Sequence, residues 1–442
     1  MQKSNVILIS IDTLRADEVG CINPASDLTP NINRLAEEGI VFKRCFSQGP
    51  GTRASFPSIL SSTYPLMFRD YHDWGIRERL SIAELLKKDG YSTAAFHSNP
   101  YLTRGYGYDK GFDVFYEGIT KKTTAQSFRD KLQTKLGIKN YRKVEWVYIK
   151  IKKLLRPVMK IKVSPEMPYI DGKVMLDLSK KYLDQVRDRF FVWIHFMDVH
   201  MPYPGGDDDI SSKIFRHARG EYEFSEHEIN DVKRLRDERI RYVDQKVGEL
   251  ISYLKEKGIY DKTYIFICSD HGEEFFEHGN LGHSNKLYDE LIHVPLVTNY
   301  EKGDVEGIRG NIDIPVTLLG IAGIPIPDIF MGLPFNEKRD FVFAEASDPI
   351  IKQNQICVRT EKNKLIYNLT TNKIQLYDLV EDSKENNNLA DSRPAEVAKL
   401  MELIEKHMQQ KNKIERKTLL YRVKMKKFGK KLSRRNSFIN IF

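Results

Sequence analysis

NVILISID (residues 5–12), FFVWIHFMDVH (190–200) and YIFICSDHGEE (264–274) each carry a β-rich apolar run straight into acidic or histidine residues. Strands of a parallel sheet are covered on both faces, so they read as unbroken Val/Ile/Phe runs rather than as alternating patterns. In an open α/β sheet, ligands bind in the crevice outside the carboxyl ends of such strands. Three strand ends that finish in Asp12, in Asp198 and His200, and in Asp270 and His271 can therefore meet at one point, although they lie far apart in sequence. A single Asp in such a place is ordinarily the cap of the helix that follows. Three together, two of them with a histidine close by, match the carboxylate-plus-imidazole donor set of zinc and manganese sites, and a metal site is expected.

Working outward, the same alternation of strand and helix runs along most of the chain. A helix is expected to open at Thr29-Pro30, with Thr as N-cap and Pro at the first helical position, and another to cross residues 50–62. SIAELLKKDG (81–90) precedes the strand STAAFHS (92–98), a helix near 171–188 precedes the second apolar run, and one over 227–257 precedes the third. VPLVTNY (294–300) and FVFAEA (341–346) read as later strands. Long crossovers between strands specify an α/β fold with a mostly parallel sheet sandwiched by helices. From about residue 340 the pattern changes to short, polar-interrupted strands followed by AEVAKLMELIEKHMQQ (395–410), which predicts a small C-terminal antiparallel sheet plus helix. The expected division is a catalytic domain over 1–335 with a basic insert at about 116–165, an α+β subdomain over 336–410, and a basic tail over 411–442.

The composition, 41% hydrophobic and 30% charged over 442 residues, is that of a globular chain large enough to bury a core. No run approaches the roughly 18 apolar residues of a membrane span. The short N-terminal apolar run leads directly into a candidate ligand and lacks a small-residue cleavage site, so a cytoplasmic location is expected. Cys21, Cys45, Cys268 and Cys357 have no CxxC spacing, which fits reduced thiols, and Cys268 reads as a buried, inert one.

The net charge of +9 is uneven: residues 116–165 carry 14 Lys/Arg against three Asp/Glu and residues 411–442 carry 12 against one, so the remainder is net about −13. Both basic segments interleave lysines with Trp146, Tyr148, Leu154 and other apolar residues, a pattern suited to an anionic membrane surface. A solvated basic face is the alternative. Nucleic acid is disfavoured as a partner because no recognised binding module accompanies the charge.

The blocks NVILISIDTLRAD, TPNINRLAEEG, residues 50–65, GYSTAAF, GFDVF, MDVHMPY, SDHGEEFFEHGNLGHSNKLYDE with the following HVPLV, and LYDLVEDSKENNNLA resemble the sulfatase family of the alkaline phosphatase superfamily, over nearly the whole length to about residue 410. The resemblance implies an alkaline-phosphatase-like sandwich, an anionic ester substrate and a metal-assisted nucleophile at a helix N-terminus. It also implies that Asp12, Asp270 and His271 hold a divalent ion, Zn, Mn or Ca. The sequence departs from the family at the nucleophile. Formylglycine sulfatases place a Cys or Ser where this chain, in GTRASFPSILSSTYP, has Thr52, with Ala54 and Phe56 at the third and fifth places. Threonine cannot be oxidised to an aldehyde, but its hydroxyl can become a metal-bound alkoxide, as in the phosphoryl-transferring branches. Ser55 is the alternative nucleophile, and an N-cap role alone is the structural alternative for Thr52.

The lysines that sulfatases set against sulfate are replaced here by Phe96-His97-Ser98-Asn99 and Gly282-His283. His283 matches a later histidine of phosphoethanolamine transferases. With His200, and with Asp198, it is expected to bind a second metal or to clamp the transferring group's oxygens. His278 and His97 are weaker candidates. Arg53 and Asn99 are expected substrate contacts. Thr52 would attack in line, and His200 or His283 would serve as acid or base. Three functions follow: a sulfate or phosphate ester hydrolase, a phosphoethanolamine- or phosphoglycerol-type transferase to a lipid or glycan, and an inactive membrane-docking scaffold of the same fold.

Overall fold

The structure is a computed structural model that describes residues 5–68, 75–118, 169–187, 189–203, 208–217, 220–301, 305, 307–348 and 353–436. In chain order the first half comprises β1 (Asn5–Ile11), α1 (Pro30–Glu38), β2 (Ile40–Val41), β3 (Cys45–Phe46), α2 (Thr52–Ser61), α3 (Ile82–Lys88), β4 (Ser92–His97) and β5 (Val114–Glu117). There follow α4 (Gly172–Gln185), β6 (Phe190–Phe196), α5 (Asp208–His217), α6 (Glu226–Glu256), β7 (Thr263–Ser269), the hairpin β8 (Glu274–Phe275) and β9 (Leu281–Gly282), and α7 (Asp289–Ile292). The chain ends with β10 (His293–Val294), β11 (Leu296–Thr298), β12 (Arg309–Gly310), α8 (Ile314–Ala322), β13 (Phe341–Asp348), β14 (Gln353–Thr360), β15 (Asn363–Asn368), β16 (Ile374–Asp378) and α9 (Pro394–Asn436).

The three apolar runs lie side by side. The central sheet has the order β2-β11-β7-β1-β6-β4-β5 and is parallel except at β11, which runs against both its neighbours. Ile11 pairs with Phe196 on one side and Ser269 on the other, so the chain leaves all three strands at the same level. Alternate side chains feed two cores. Ile7, Ile9, Val192, Ile194 and Ile267 pack under Ile32 of α1, Leu176 of α4 and Val247 of α6, whereas Leu8, Phe191, Trp193 and Phe266 pack under Phe56 and Leu60 of α2 and Leu319 of α8. Burial on both faces is why these strands carry no polar alternation. A short second sheet, β10-β3-β12, links this body to the antiparallel β13-β14-β15-β16 sheet, whose one face is covered by Leu400 and Ile404 of α9.

Two expectations change on contact with the structure. The Thr29-Pro30 start is right in position, but the Thr29 hydroxyl does not cap α1; the Asp244 carboxylate of α6 accepts from the amides of Asn31 (3.0 Å) and Ile32 (2.9 Å) instead. A carboxylate from another helix satisfies those amides better than a local hydroxyl because it also meets the positive helix end. Helix α9 runs without a break through residue 410, where the sequence suggested the tail to begin. The basic insert lies, from residue 119 onward, outside the described residues. Among the described residues no helix is long and apolar enough to cross a membrane.

α9 is locked onto the sheet by a buried charge cluster. The Glu345 carboxylate accepts from His407 Nε2 (2.9 Å), from the Leu66 amide (2.8 Å) and from Lys411. Burial would raise its pKa, but Lys411 and His407 outweigh burial and bring it down to about 2 from 4.5. A folded-state pKa below the unfolded one stabilises fully above the unfolded value and fades as pH falls through the folded value, here from about 4.5 down to about 2. Glu345→Gln leaves Lys411 buried without its counter-charge and is expected to cost about 3 kcal/mol, read by denaturant unfolding at neutral pH.

Candidate active site

Asp12 follows β1 directly and is fully buried; its amide donates to Phe196 O (2.9 Å), which fixes it at the sheet edge. Asp270 and His271 leave β7 at the same level, and the Asp270 Oδ1 accepts from the amides of Thr13 (3.2 Å) and His271 (3.0 Å). His271 Nδ1 donates to Gly272 O (2.9 Å), which sets the tautomer and leaves Nε2 as a lone pair. That Nε2 faces Asp270 Oδ2 at 3.5 Å and Asp12 Oδ1 at 3.8 Å. One ligand atom from each of the three residues lies within 4.8 Å of the others. Among the described residues Asp12 Oδ1 and Asp270 Oδ2 are buried and have no hydrogen-bond donor, although buried polar atoms are normally satisfied. Two carboxylate oxygens and a neutral imidazole converging in this way fit a divalent cation.

The electrostatics agree with that fit. Burial first, and then the charge of Asp12, push the Asp270 carboxyl well above its usual range. Burial would also raise Asp12, but His200 and the hydrogen bond from His195 outweigh it and hold Asp12 low. Burial and the neighbouring His283 bring His271 down to about 3, so its imidazole is neutral, the form that ligates metals.

Thr52 is the first residue of α2 and sits over this cluster. Its Oγ1 is 3.4 Å from His271 Nε2 and 3.5 Å from Asp12 Oδ2. Asn99, just beyond β4, donates from Nδ2 to Asp12 Oδ2 (3.1 Å) and stands 3.5 Å from Thr52 Oγ1. Arg53, partly buried, lies over the Tyr101 ring, 3.9 Å from its centroid, and the Tyr101 amide donates to Asn99 Oδ1 (2.9 Å). Ser55, the alternative nucleophile, is directed elsewhere: its hydroxyl donates to the carbonyl of Gly51 (3.1 Å), the residue that precedes α2.

His283 follows β9 and reaches the site from above. Its ring centre is 4.6 Å from that of His271 and 5.2 Å from that of His200, and a Cβ added at Gly51 would lie 3.7 Å from it. Burial would lower its pKa, but Glu273, whose Oε1 is 3.6 Å from Nδ1, outweighs burial and raises it. His200 Nδ1 bonds the Met201 carbonyl, which leaves Nε2 available to the site.

Asp198 is buried just past β6, and its Oδ2 has no hydrogen-bond partner among the described residues. Its Oδ1 accepts from the Gly172 amide (3.0 Å) at the N-terminus of α4, the helix-end role that a lone strand-end Asp ordinarily has. Burial, partly offset by that amide, brings its carboxyl up to about 6. His97 is fully buried at the end of β4, stacked on Trp193 at 5.5 Å, and His278 stacks on Tyr288 at 3.6 Å with Nδ1 on Glu290. Neither reaches Thr52.

Two residues that the sequence reading passed over also build the site. His195 lies inside β6, paired with Ser10, in a relay with one consistent set of protons: Trp193 Nε1 donates to Ser10 Oγ (2.9 Å), Ser10 Oγ to His195 Nδ1 (2.9 Å), and His195 Nε2 to Asp12 Oδ2 (3.2 Å). A histidine within an otherwise apolar parallel strand was the available signal. Arg236 of α6 is the second, with a guanidinium that meets the loops leaving β1, β6 and β7.

A family model described as Sulfatase matches residues 4–324, and one described as N-sulphoglucosamine sulphohydrolase, C-terminal, matches residues 277–414. An arylsulfatase of Clostridium perfringens is 25% identical over 88% of this chain and 91% of its own length. Lipoteichoic acid synthase 2 of Bacillus subtilis is 22% identical over 74% of this chain and 46% of its own. The phosphonate monoester hydrolase of Agrobacterium radiobacter superposes with a TM-score of 0.68 at 19% identity, covering 93% of this chain and 96% of that one, a likeness of fold. With a family model spanning most of its length and the strand-end constellation in place, the chain belongs to the sulfatase family and is an ester hydrolase of the alkaline phosphatase superfamily.

Proposed function

We propose that this chain hydrolyses phosphate or sulfate esters, phosphate with preference, through Thr52 as nucleophile at a divalent metal held by Asp12, Asp270 and His271. The observation that carries the reading is the Thr52 hydroxyl, 3.4 Å from His271 Nε2 and 3.5 Å from Asp12 Oδ2, at the N-terminus of a ten-residue helix. When bound, the ion supplies a Lewis acid that lowers the pKa of a hydroxyl and offsets charge on the ester oxygens.

The chain's own residues do the rest. The N-terminus of α2 presents the positive end of its dipole to the anionic group. The Thr52 hydroxyl passes its proton to the Asp12 carboxylate toward which it points, the Oγ1–P bond forms as the bond from phosphorus to the leaving oxygen breaks, and Asp12 returns the proton to Oγ1 when water breaks the threonyl ester; Asn99 Nδ2 is placed to donate to an oxygen of the group in transit. His283, oriented by Glu273, gives its proton to the leaving oxygen and then takes one from the water that attacks the threonyl ester. His200 clamps the opposite side. Asn99→Ala is expected to reduce kcat by about a hundredfold with KM little changed, the usual effect of removing one such donor, and steady-state kinetics on an aryl phosphodiester would show it.

The likeness to lipoteichoic acid synthase 2 favours a second reading, in which an acceptor hydroxyl replaces water in the last step. Turnover of aryl phosphate monoester, phosphodiester and sulfate, each measured metal-stripped and then with Zn, Mn or Ca, separates the cases. The proposal expects metal-dependent phosphoester turnover that exceeds sulfate turnover. Faster sulfate turnover would reverse the preference, and metal binding without turnover on any ester would point to the transferase or to an inactive scaffold.

A further inference from the structure

We infer that Arg236 is a positioning residue for the metal site, a single buried guanidinium that fixes the loops leaving β1, β6 and β7 in one geometry. Its side chain is 1% exposed. Toward the β1 loop, Nη2 donates to Thr13 O (2.6 Å) and Nη1 lies 3.3 Å from Thr13 Oγ1. Toward the β6 loop, Nη1 donates to Val199 O (3.1 Å), the residue before His200. Toward the β7 loop, Nη1 donates to Glu273 Oε2 (2.9 Å), two residues beyond His271. The far edge of the fork is held by Glu18, at 2.5 Å from Nε and 2.8 Å from Nη2.

Each of these contacts acts one bond away from a candidate ligand. Thr13 adopts φ 61°, a left-handed conformation that is strained for a β-branched residue and persists only where its surroundings enforce it. Arg236 bonds its carbonyl, the Val199 carbonyl accepts from its hydroxyl (3.0 Å), and its amide in turn holds Asp270 Oδ1. Glu273 uses one oxygen for Arg236 and Tyr203 and turns the other to His283. A lysine, a point charge without the planar fork, cannot reach the three loops at once.

The inference rests on the reading of Asp12, Asp270 and His271 as a metal site, and the test separates the two. Mn2+ affinity of the metal-stripped chain is measured by calorimetry, beside thermal unfolding, for wild type, Arg236→Lys and Glu18→Gln. Groups that orient metal ligands typically contribute about 10–100-fold in affinity, so Arg236→Lys is expected to raise the Mn2+ dissociation constant by that factor. Glu18→Gln, which loosens the far edge of the fork at a partly exposed position, is expected to raise it several-fold, and it decides the matter if Arg236→Lys does not fold. A purely structural ion pair would lower the unfolding temperature and leave the dissociation constant unchanged in both variants, which overturns the inference. A wild-type chain that binds no Mn2+, Zn2+ or Ca2+ sinks the metal reading instead.

Discussion

Thr52→Ala is expected to lower kcat on a phosphodiester by about 10⁴-fold or more while the chain stays folded, because deletion of a nucleophile leaves only binding and electrostatic catalysis. Thr52 is 5% exposed, and its hydroxyl lies 3.5 Å from Asp12 Oδ2 and 3.4 Å from His271 Nε2. Thr52→Ser is the informative companion. It keeps an oxygen at the N-terminus of α2 and loses only a methyl group, so turnover is expected to fall about tenfold or less. Ser55→Ala, which removes a hydroxyl already bonded to Gly51 O, is expected to leave kcat near wild type in the same assay.

The second large effect is expected from Asp270→Asn. The substitution removes one of two negative charges at the cluster and replaces a free oxygen with an amide nitrogen or a weaker acceptor. If the ion contributes several kcal/mol to the transition state, its loss costs about 10³-fold in kcat/KM at fixed metal concentration. Equilibrium dialysis should show metal binding weakened in parallel, and a chelator should bring the wild-type chain down to the level of the variant. Asp198→Asn makes the contrast, since Asp198 Oδ1 accepts from the Gly172 amide of α4; it is expected to change stability more than metal affinity.

Much of the architecture was legible because parallel strands buried on both faces leave a distinctive trace. Unbroken runs at residues 5–11, 190–196 and 263–269 placed three strands, and the residues just past them placed Asp12, Asp270 and His271. What the runs could not say is which strand-end carboxylate turns toward the site and which toward a helix. Asp12 and Asp198 look alike in sequence, yet one oxygen of Asp198 is taken by the Gly172 amide, which arrives from elsewhere in the chain. Thr29 is the same lesson at smaller scale, a good local cap displaced by Asp244, more than 200 residues away. His195 and Arg236 were hidden for the opposite reason. A polar residue inside a core strand or a long charged helix gives no local sign of what it meets, and only the register of Ser10 beside His195 or the packing of α6 over the loops reveals the partner.

The central claim, that Thr52 accepts the transferred group, is tested most directly by quenching the metal-loaded chain in acid during steady turnover of an aryl phosphodiester and mapping the modified peptide by mass spectrometry. The account predicts a phosphoryl adduct on Thr52, present during turnover and absent from Thr52→Ala. Rapid turnover with the adduct on Ser55, or with the same turnover retained by Thr52→Ala, would contradict it.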